Sequence, residues 1–238
     1  MILAAHQLHY LPWPRYIHKI ACSETFVILD NIQFNKNGWQ NRNKIKGPQG
    51  EVCLTVPVLQ KQAQLLSEVG IDNKQRWPRK HWGSFANYYR KASYFKEHET
   101  FFRKVYETKW ERLNDINYEI LFYLLKMMGV KTKIVRSSDM AIRGEGTDRL
   151  VGICKDLGAQ AYLTGAYAAE VYLDKSLFEK EGIDVIFQSF DCPTYPQLYP
   201  EVGFIPELSI VDLLFNCGPR SFEILMNGVG FQASGETN

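Results

Sequence analysis

Short apolar blocks alternate with polar, proline-broken stretches at the start of the chain. Residues 2–5 form an unbroken apolar run that predicts a short buried strand. Residues 6–15 interrupt it with Pro12 and Pro14, which lack an N–H and restrict their predecessors, so a loop is expected. Residues 15–22 place Tyr16, Ile17 and Ile20 on one side of a short helix. Residues 26–29 are β-rich without alternation, as in a strand covered on both faces. Strand, loop, helix and strand in this order make a βαβ opening of the nucleotide-binding type.

Residues 30–50 are polar and carry two turn signals, Asn37-Gly38 and Gly47-Pro48-Gln49-Gly50. With residues 52–58 after them they predict a β-hairpin. Residues 60–75 read as a loop. From 78 to 128 the spacing is helical, in two or three helices, with Ile116, Ile120, Leu121, Leu124 and Leu125 on one face and Gly129 as a stop. Alternation then resumes, with strands at 134–136, 161–164 and 185–188 and helices at 147–157, 168–172 and 208–216. Gly158 and Gly218 follow two of these helices, and the last ten residues are expected to fray. The whole pattern predicts one α/β domain over residues 1–238. It would be Rossmann-like, a mainly parallel central sheet flanked by helices, with a β-hairpin and a helical insertion at about 78–128.

Composition adds limits. The 238 residues are 45% hydrophobic and 23% charged, and a chain this long buries a core without disulfides or a structural metal. The longest unbroken apolar candidate for a span, residues 120–125, falls far short of the roughly 20 needed to cross a bilayer. The N-terminus lacks the charged region and cleavage site of a signal peptide, so a cytoplasmic protein without membrane insertion is expected. Five scattered cysteines, without a C-x-x-C pair, read as small buried hydrophobes. His6 and His9 make an H-x-x-H, but no third ligand stands nearby and no metal is expected. Charge is uneven. Residues 1–150 hold 24 Lys/Arg against 14 Asp/Glu, and residues 151–238 hold 4 against 12. A basic half attracts an anionic partner such as a nucleotide or RNA, although solvated lysines on long helices give the same count.

Polar chemistry concentrates in four places. After the first strand come His6, Gln7, Tyr10, Trp13 and Lys19, where a ligand sits in open α/β sheets. His6 suits phosphate donation or proton transfer near neutral pH, and the aromatic rings suit a base or sugar. The same rings would equally anchor a loop to the core. At the end of the second strand Asp30 occupies a common position for a general base. Beyond it Gln33, Lys36, Trp39, Asn41, Arg42 and Lys44 join an aromatic plate to amides and cations. Lys74, Trp77 and His81 interleave cations with rings, as single-stranded RNA or a phosphate with a stacked ring would require. Tryptophans packed on helices with snorkelling cations read the same way. Thr164-Gly165, with Tyr172 and Asp174 downstream, would let a ligand approach the backbone.

At these residues the chain resembles the WbqC-like family of bacterial proteins tied to O-antigen and other surface-polysaccharide loci. The resemblance rests on His6-Gln7, Tyr10, Pro12-Trp13 and Lys19-Ile20, then on Phe26 through Asp30, Gln33-Phe34, Lys36 and Trp39 through Asn43. It continues through Leu54 to Val58, Tyr162 to Gly165, Tyr172 to Asp174, and Leu208 to Asn216. Leu8 and Arg15 depart from it, since the family usually has proline and glycine there. Membership implies a cytoplasmic part in polysaccharide precursor assembly on a nucleotide-activated or lipid-linked amino sugar.

The resulting expectation is a transferase that modifies a nucleotide-linked amino sugar by acyl or aminoacyl transfer. His6 or Asp30 would serve as base, with Gln7, Asn41 and Arg42 as donors. The donor substrate would be an aminoacyl-tRNA or an acyl carrier. No cofactor is implied, because neither a P-loop nor G-x-G-x-x-G is present. Two alternatives stand beside it. One is a HIGH-type nucleotidyltransferase, for which a second histidine after a glycine is missing and His18 stands too far along. The other is a non-catalytic sugar-nucleotide-binding protein of the same pathway.

Overall fold

The computed structural model describes residues 1–61, 63–165 and 173–233. The chain enters through β1 (Ile2–Gln7), whose Leu3 and Ala5 face one side of the sheet while Ala4 faces the other. Pro14 opens α1 (Pro14–Ala21), where its missing N–H costs nothing. β2 (Thr25–Leu29) then lies parallel to β1, with His6 level with Ile28 and Gln7 level with Leu29. β1 thus runs past the apolar stretch that announced it, because backbone pairing with β2 carries two polar residues along.

The chain next leaves the sheet. The predicted hairpin forms between β3 (Arg42–Gly47) and β4 (Gly50–Thr55). Pro57 separates β4 from β5 (Val58–Leu59), which pairs antiparallel with β6 (Gly70–Ile71). Part of the stretch read as loop is therefore ordered by local pairing. Three helices follow, α2 (Trp77–Tyr89), α3 (Phe95–Glu107) and α4 (Leu113–Met127), over the stretch where a helical insertion at about 78–128 was expected.

Return to the sheet is by β7 (Lys133–Arg136), beside β2 and parallel to it. Then come α5 (Gly146–Asp156), β8 (Ala161–Gly165), α6 (Lys175–Lys180) and β9 (Asp184–Phe190). Ser209 caps α7 (Ile210–Cys217), its hydroxyl accepting from the Val211 N–H, and α8 (Ser221–Met226) precedes β10 (Val229–Ala233). The helix expected at 168–172 lies outside the described residues. Helices α6 and α8 were not anticipated. Residues 229–233, expected to fray, are instead an edge strand held antiparallel to β9.

Five parallel strands and this one antiparallel edge give the order β10-β9-β8-β1-β2-β7. Helices cover both faces. Tyr16, Ile17 and Ile20 of α1 join α2, α3, α4 and α7 on one side, and Leu150, Ile153, Cys154 of α5 with Phe178 of α6 pack on the other. The fold is mixed α/β and Rossmann-like, as the sequence pattern predicts. Of the five cysteines, Cys154 and Cys217 are buried and Cys22 and Cys192 partly so. Cys53 is exposed on the hairpin and does not fit the reading as a buried hydrophobe.

Candidate functional site

From β1 the chain builds one half of the sheet through β2 and β7, and the other half through β8 and β9. Strand order reverses between β1 and β8, and in open sheets the crevice beyond the carboxyl ends of such strands receives ligands. Here those ends present His6, Gln7, Thr164 and Gly165.

A cluster of basic side chains fills the β1 end of this crevice. The half-buried His6 ring meets His9 edge-to-face with centroids 4.7 Å apart, and Tyr16 at 5.2 Å. His9, 5% exposed, stacks on Tyr16 at 5.2 Å and meets Trp13 at 5.3 Å. Lys19, 6% exposed, reaches up from α1 to donate to the Ala5 carbonyl at 3.3 Å. Burial, then Lys19 and His9, hold the His6 imidazolium well below its ordinary range. Burial and Lys19 push His9 down to about 3, and burial alone brings the Lys19 ammonium to about 7. Loss of water is the larger cause, and like charge adds to it: two such charges about 5 Å apart cost about 3 kcal/mol at an effective dielectric of 20. His9 Nδ1 is buried without a hydrogen-bond partner among the described residues. Those residues contain no group of three or more His, Cys, Asp and Glu able to hold a metal ion.

One strand over, Asp30 has a different character. Its carboxylate accepts from Tyr118 Oη at 2.8 Å, Ser137 Oγ at 3.0 Å, Ser138 N at 2.9 Å and Ser138 Oγ at 2.7 Å. Four donors occupy the lone pairs a general base would need free. Around it stand Asn31, Ser137 and Arg149, whose guanidinium donates to Asn31 Oδ1 and packs its Nε without a partner among the described residues. None of Asn31, Ser137, Ser138 and Arg149 was anticipated. The available signal was a run of small polar residues directly after β7.

The two N-terminal stretches do meet. Gln40 Nε2 donates to Gln7 Oε1 at 2.7 Å, Tyr10 N donates to the Trp39 carbonyl at 3.3 Å, and Trp13 packs on Trp39 at 4.8 Å. Asn43 Nδ2 donates to the Leu11 carbonyl at 2.6 Å, fixing a left-handed residue with φ 46°. Leu8 is fully buried in this loop, and Arg15 forms a two-pronged ion pair with Glu207 at 2.8 and 2.9 Å.

Other anticipated contacts turn inward. The Tyr10 hydroxyl lies 2.8 Å from His81 Nδ1 and 2.7 Å from the Tyr106 hydroxyl, and Trp77 packs on His81 at 5.2 Å, all within the core. Asn41 is buried and donates to the Val56 carbonyl. These four act as interior struts in this structure. Their cationic neighbour Lys74 is exposed, as are Gln33 and Lys36, while Arg42 donates to the Lys36 carbonyl at 3.1 Å. Lys44 is paired with Glu51 across the hairpin. Thr164 is buried, Asp174 caps α6 by accepting from Ser176 N, and Tyr172 lies outside the described residues. Two described cavities, of about 560 and 470 Å³, are lined by residues around α7–α8 and around the α1 and α4 ends, not by this cluster.

The chain belongs to the WbqC-like protein family, whose model matches residues 7–224. It is 33% identical over 227 residues to the uncharacterized protein Rv1507c of Mycobacterium tuberculosis, covering 94% of this chain and 96% of that one. No solved structure matches. Among the described residues no helix is long and apolar enough to cross a membrane.

Proposed function

We propose that the protein is a cytoplasmic transferase that passes an acyl or aminoacyl group to the amine of a nucleotide-linked sugar during surface-polysaccharide assembly. The observation that carries this is His6: an imidazole held neutral, half-buried, at the carboxyl end of the strand where sheet order reverses. A neutral imidazole accepts the proton that a sugar ammonium must lose before its nitrogen can attack. The nitrogen then forms a C–N bond with the donor's carbonyl carbon and gives up a second proton, the ester or thioester bond breaks, and the leaving group departs with that proton while the first passes from His6 to solvent. Gln7 accepts from Gln40 through Oε1, which leaves its Nε2 to donate to the carbonyl oxyanion. The paired rings of Trp13 and Trp39 offer a surface for the nucleoside, and Lys36 with Arg42, at the entry to the hairpin, favours phosphate. The basic first 150 residues also suit an aminoacyl-tRNA as donor.

The test pairs purified protein with a UDP-linked amino sugar and, separately, acyl-thioester and aminoacyl-tRNA donors, with products read by mass spectrometry. His6→Ala is expected to reduce product by about 10²- to 10⁴-fold without altering the circular dichroism spectrum. Full activity in that variant rejects the assignment.

A second reading draws on His9. It follows His6 by three residues and touches its ring, so it supplies the second imidazole that a HIGH-type nucleotidyltransferase needs, a role for which His18 was too distant. Pyrophosphate released from a nucleoside triphosphate and a sugar phosphate would favour this reading.

A further inference from the structure

We propose that His6, His9 and Lys19 together form one phosphoryl-binding site, and that the anion enters it accompanied by protons. The inference rests on the reading above for the class of substrate, although a phosphoryl group enters under either reaction. His9 is the new member of the site.

Three elements converge. β1 supplies His6, the loop after it supplies His9, and α1 supplies Lys19. The surrounding elements offer no counter-charge among the described residues. Tyr16 of α1 spends its hydroxyl on the Gln7 carbonyl at 3.0 Å. Asp30, at the end of β2, is turned to Tyr118 of α4 and to Ser137 and Ser138. Thr164 at the end of β8 is uncharged, as are Trp13 and Trp39 from the flanking loops.

Hydrogen-bonding capacity nevertheless stays unused. His6 Nδ1 faces the Gln7 carbonyl at 3.1 Å and Lys19 donates to the Ala5 carbonyl, but His9 Nδ1 is buried and unpartnered among the described residues. Buried polar atoms are normally satisfied, so an unmatched buried nitrogen beside a buried lysine and a second imidazole asks for a ligand. A neutral sugar hydroxyl would leave the cluster uncharged, and one carboxylate brings a single charge. A phosphoryl group brings up to two charges with several acceptor oxygens, which match three nitrogen bases. Empty, the two imidazoles are kept unprotonated by burial first and by Lys19 second, and burial brings the Lys19 ammonium to about 7. An anion held by Lys19 and His9 reverses that balance at those two, because an opposite charge nearby favours the protonated form, while His6 keeps the free imidazole the transfer needs. Binding therefore draws protons from solvent.

Isothermal titration calorimetry on the full chain tests this, using UDP and inorganic pyrophosphate near neutral pH. Each titration is run in one buffer of low and one of high ionisation enthalpy. The expected result is an apparent enthalpy that tracks the buffer, corresponding to uptake of about one proton, and an affinity that weakens by up to about tenfold per unit of rising pH. His9→Gln is expected to cut the proton uptake by about half and weaken binding by about tenfold. The wild-type buffer comparison stands even if that variant folds poorly. UDP binding with a buffer-independent enthalpy overturns the inference and leaves the sugar-nucleotide reading in place. Proton-linked binding of pyrophosphate without any binding of UDP upholds the inference and removes that reading. Failure of both anions to bind overturns the inference.

Discussion

Hydrogen-bond supply separates the two carboxyl- and imidazole-bearing residues that the sequence offered as bases. Asp30 is 4% exposed and accepts from four donors, so it ties α4 and the segment after β7 to the end of β2. Asp30→Asn would point an amide N–H₂ at donors and leave hydroxyls unmatched. Urea denaturation is expected to show a loss of about 2–4 kcal/mol. A variant of unchanged stability that had lost turnover would instead make Asp30 the base. His6 was legible because it directly follows the first apolar run. His9 was weighed only as a zinc ligand, since nothing in H-x-x-H reveals that Lys19 will come up beneath it from the next helix. Trp77 and His81 misled for a related reason. Their cationic neighbours suggested a nucleic-acid surface, but α2 turns its rings inward to Tyr106 and leaves Lys74, Arg79 and Lys80 in water.

Among the elements, those with strong periodicity or a clear stop were read nearly to their ends. Helix α4 and helix α7 are examples, and Gly218 closes the latter at φ 51°. A Cβ there would lie 2.4 Å from the Tyr94 ring, so Gly218→Ala combines a strained backbone with a collision. It is expected to destabilise by roughly 2–4 kcal/mol, seen as a Tm lowered by several degrees. An unchanged Tm would mean that the helix ends differently. Short elements escaped notice. Helix α6 is a single capped turn and a half, β5 and β6 are two residues each, and β10 owes its form to pairing with β9 rather than to its own glycine-containing sequence. Local pattern carries little information where tertiary pairing decides.

For the molecule as a whole, buried imidazoles govern the response to acid. Burial lowers His18 and His81 to about 4 and His9 to about 3, and His6 is lowered too. The unfolded chain, with ordinary histidines, binds these protons first, so stability falls as pH drops through about 6.5 and goes on falling to about 3. Each fully buried histidine contributes roughly 2 kcal/mol to that loss by about pH 5. Lys19 acts in a higher window, adding stability as pH rises from about 7 toward its unfolded value. Denaturation midpoints measured across acid and neutral pH are expected to fall steeply below 6.5. A flat profile would mean that the imidazoles are already charged and paired. The route of the chain has its own effect during synthesis. Residues 30–132 emerge between β2 and its neighbour β7, and β8 follows later still, so the β1–β2 pair waits with both flanks open. The segment most able to recruit a stray strand is made first and sheltered last. A ribosome paused within the three helices would hold out a sticky ribbon, and a cell making this protein must keep that ribbon occupied until its own later strands arrive.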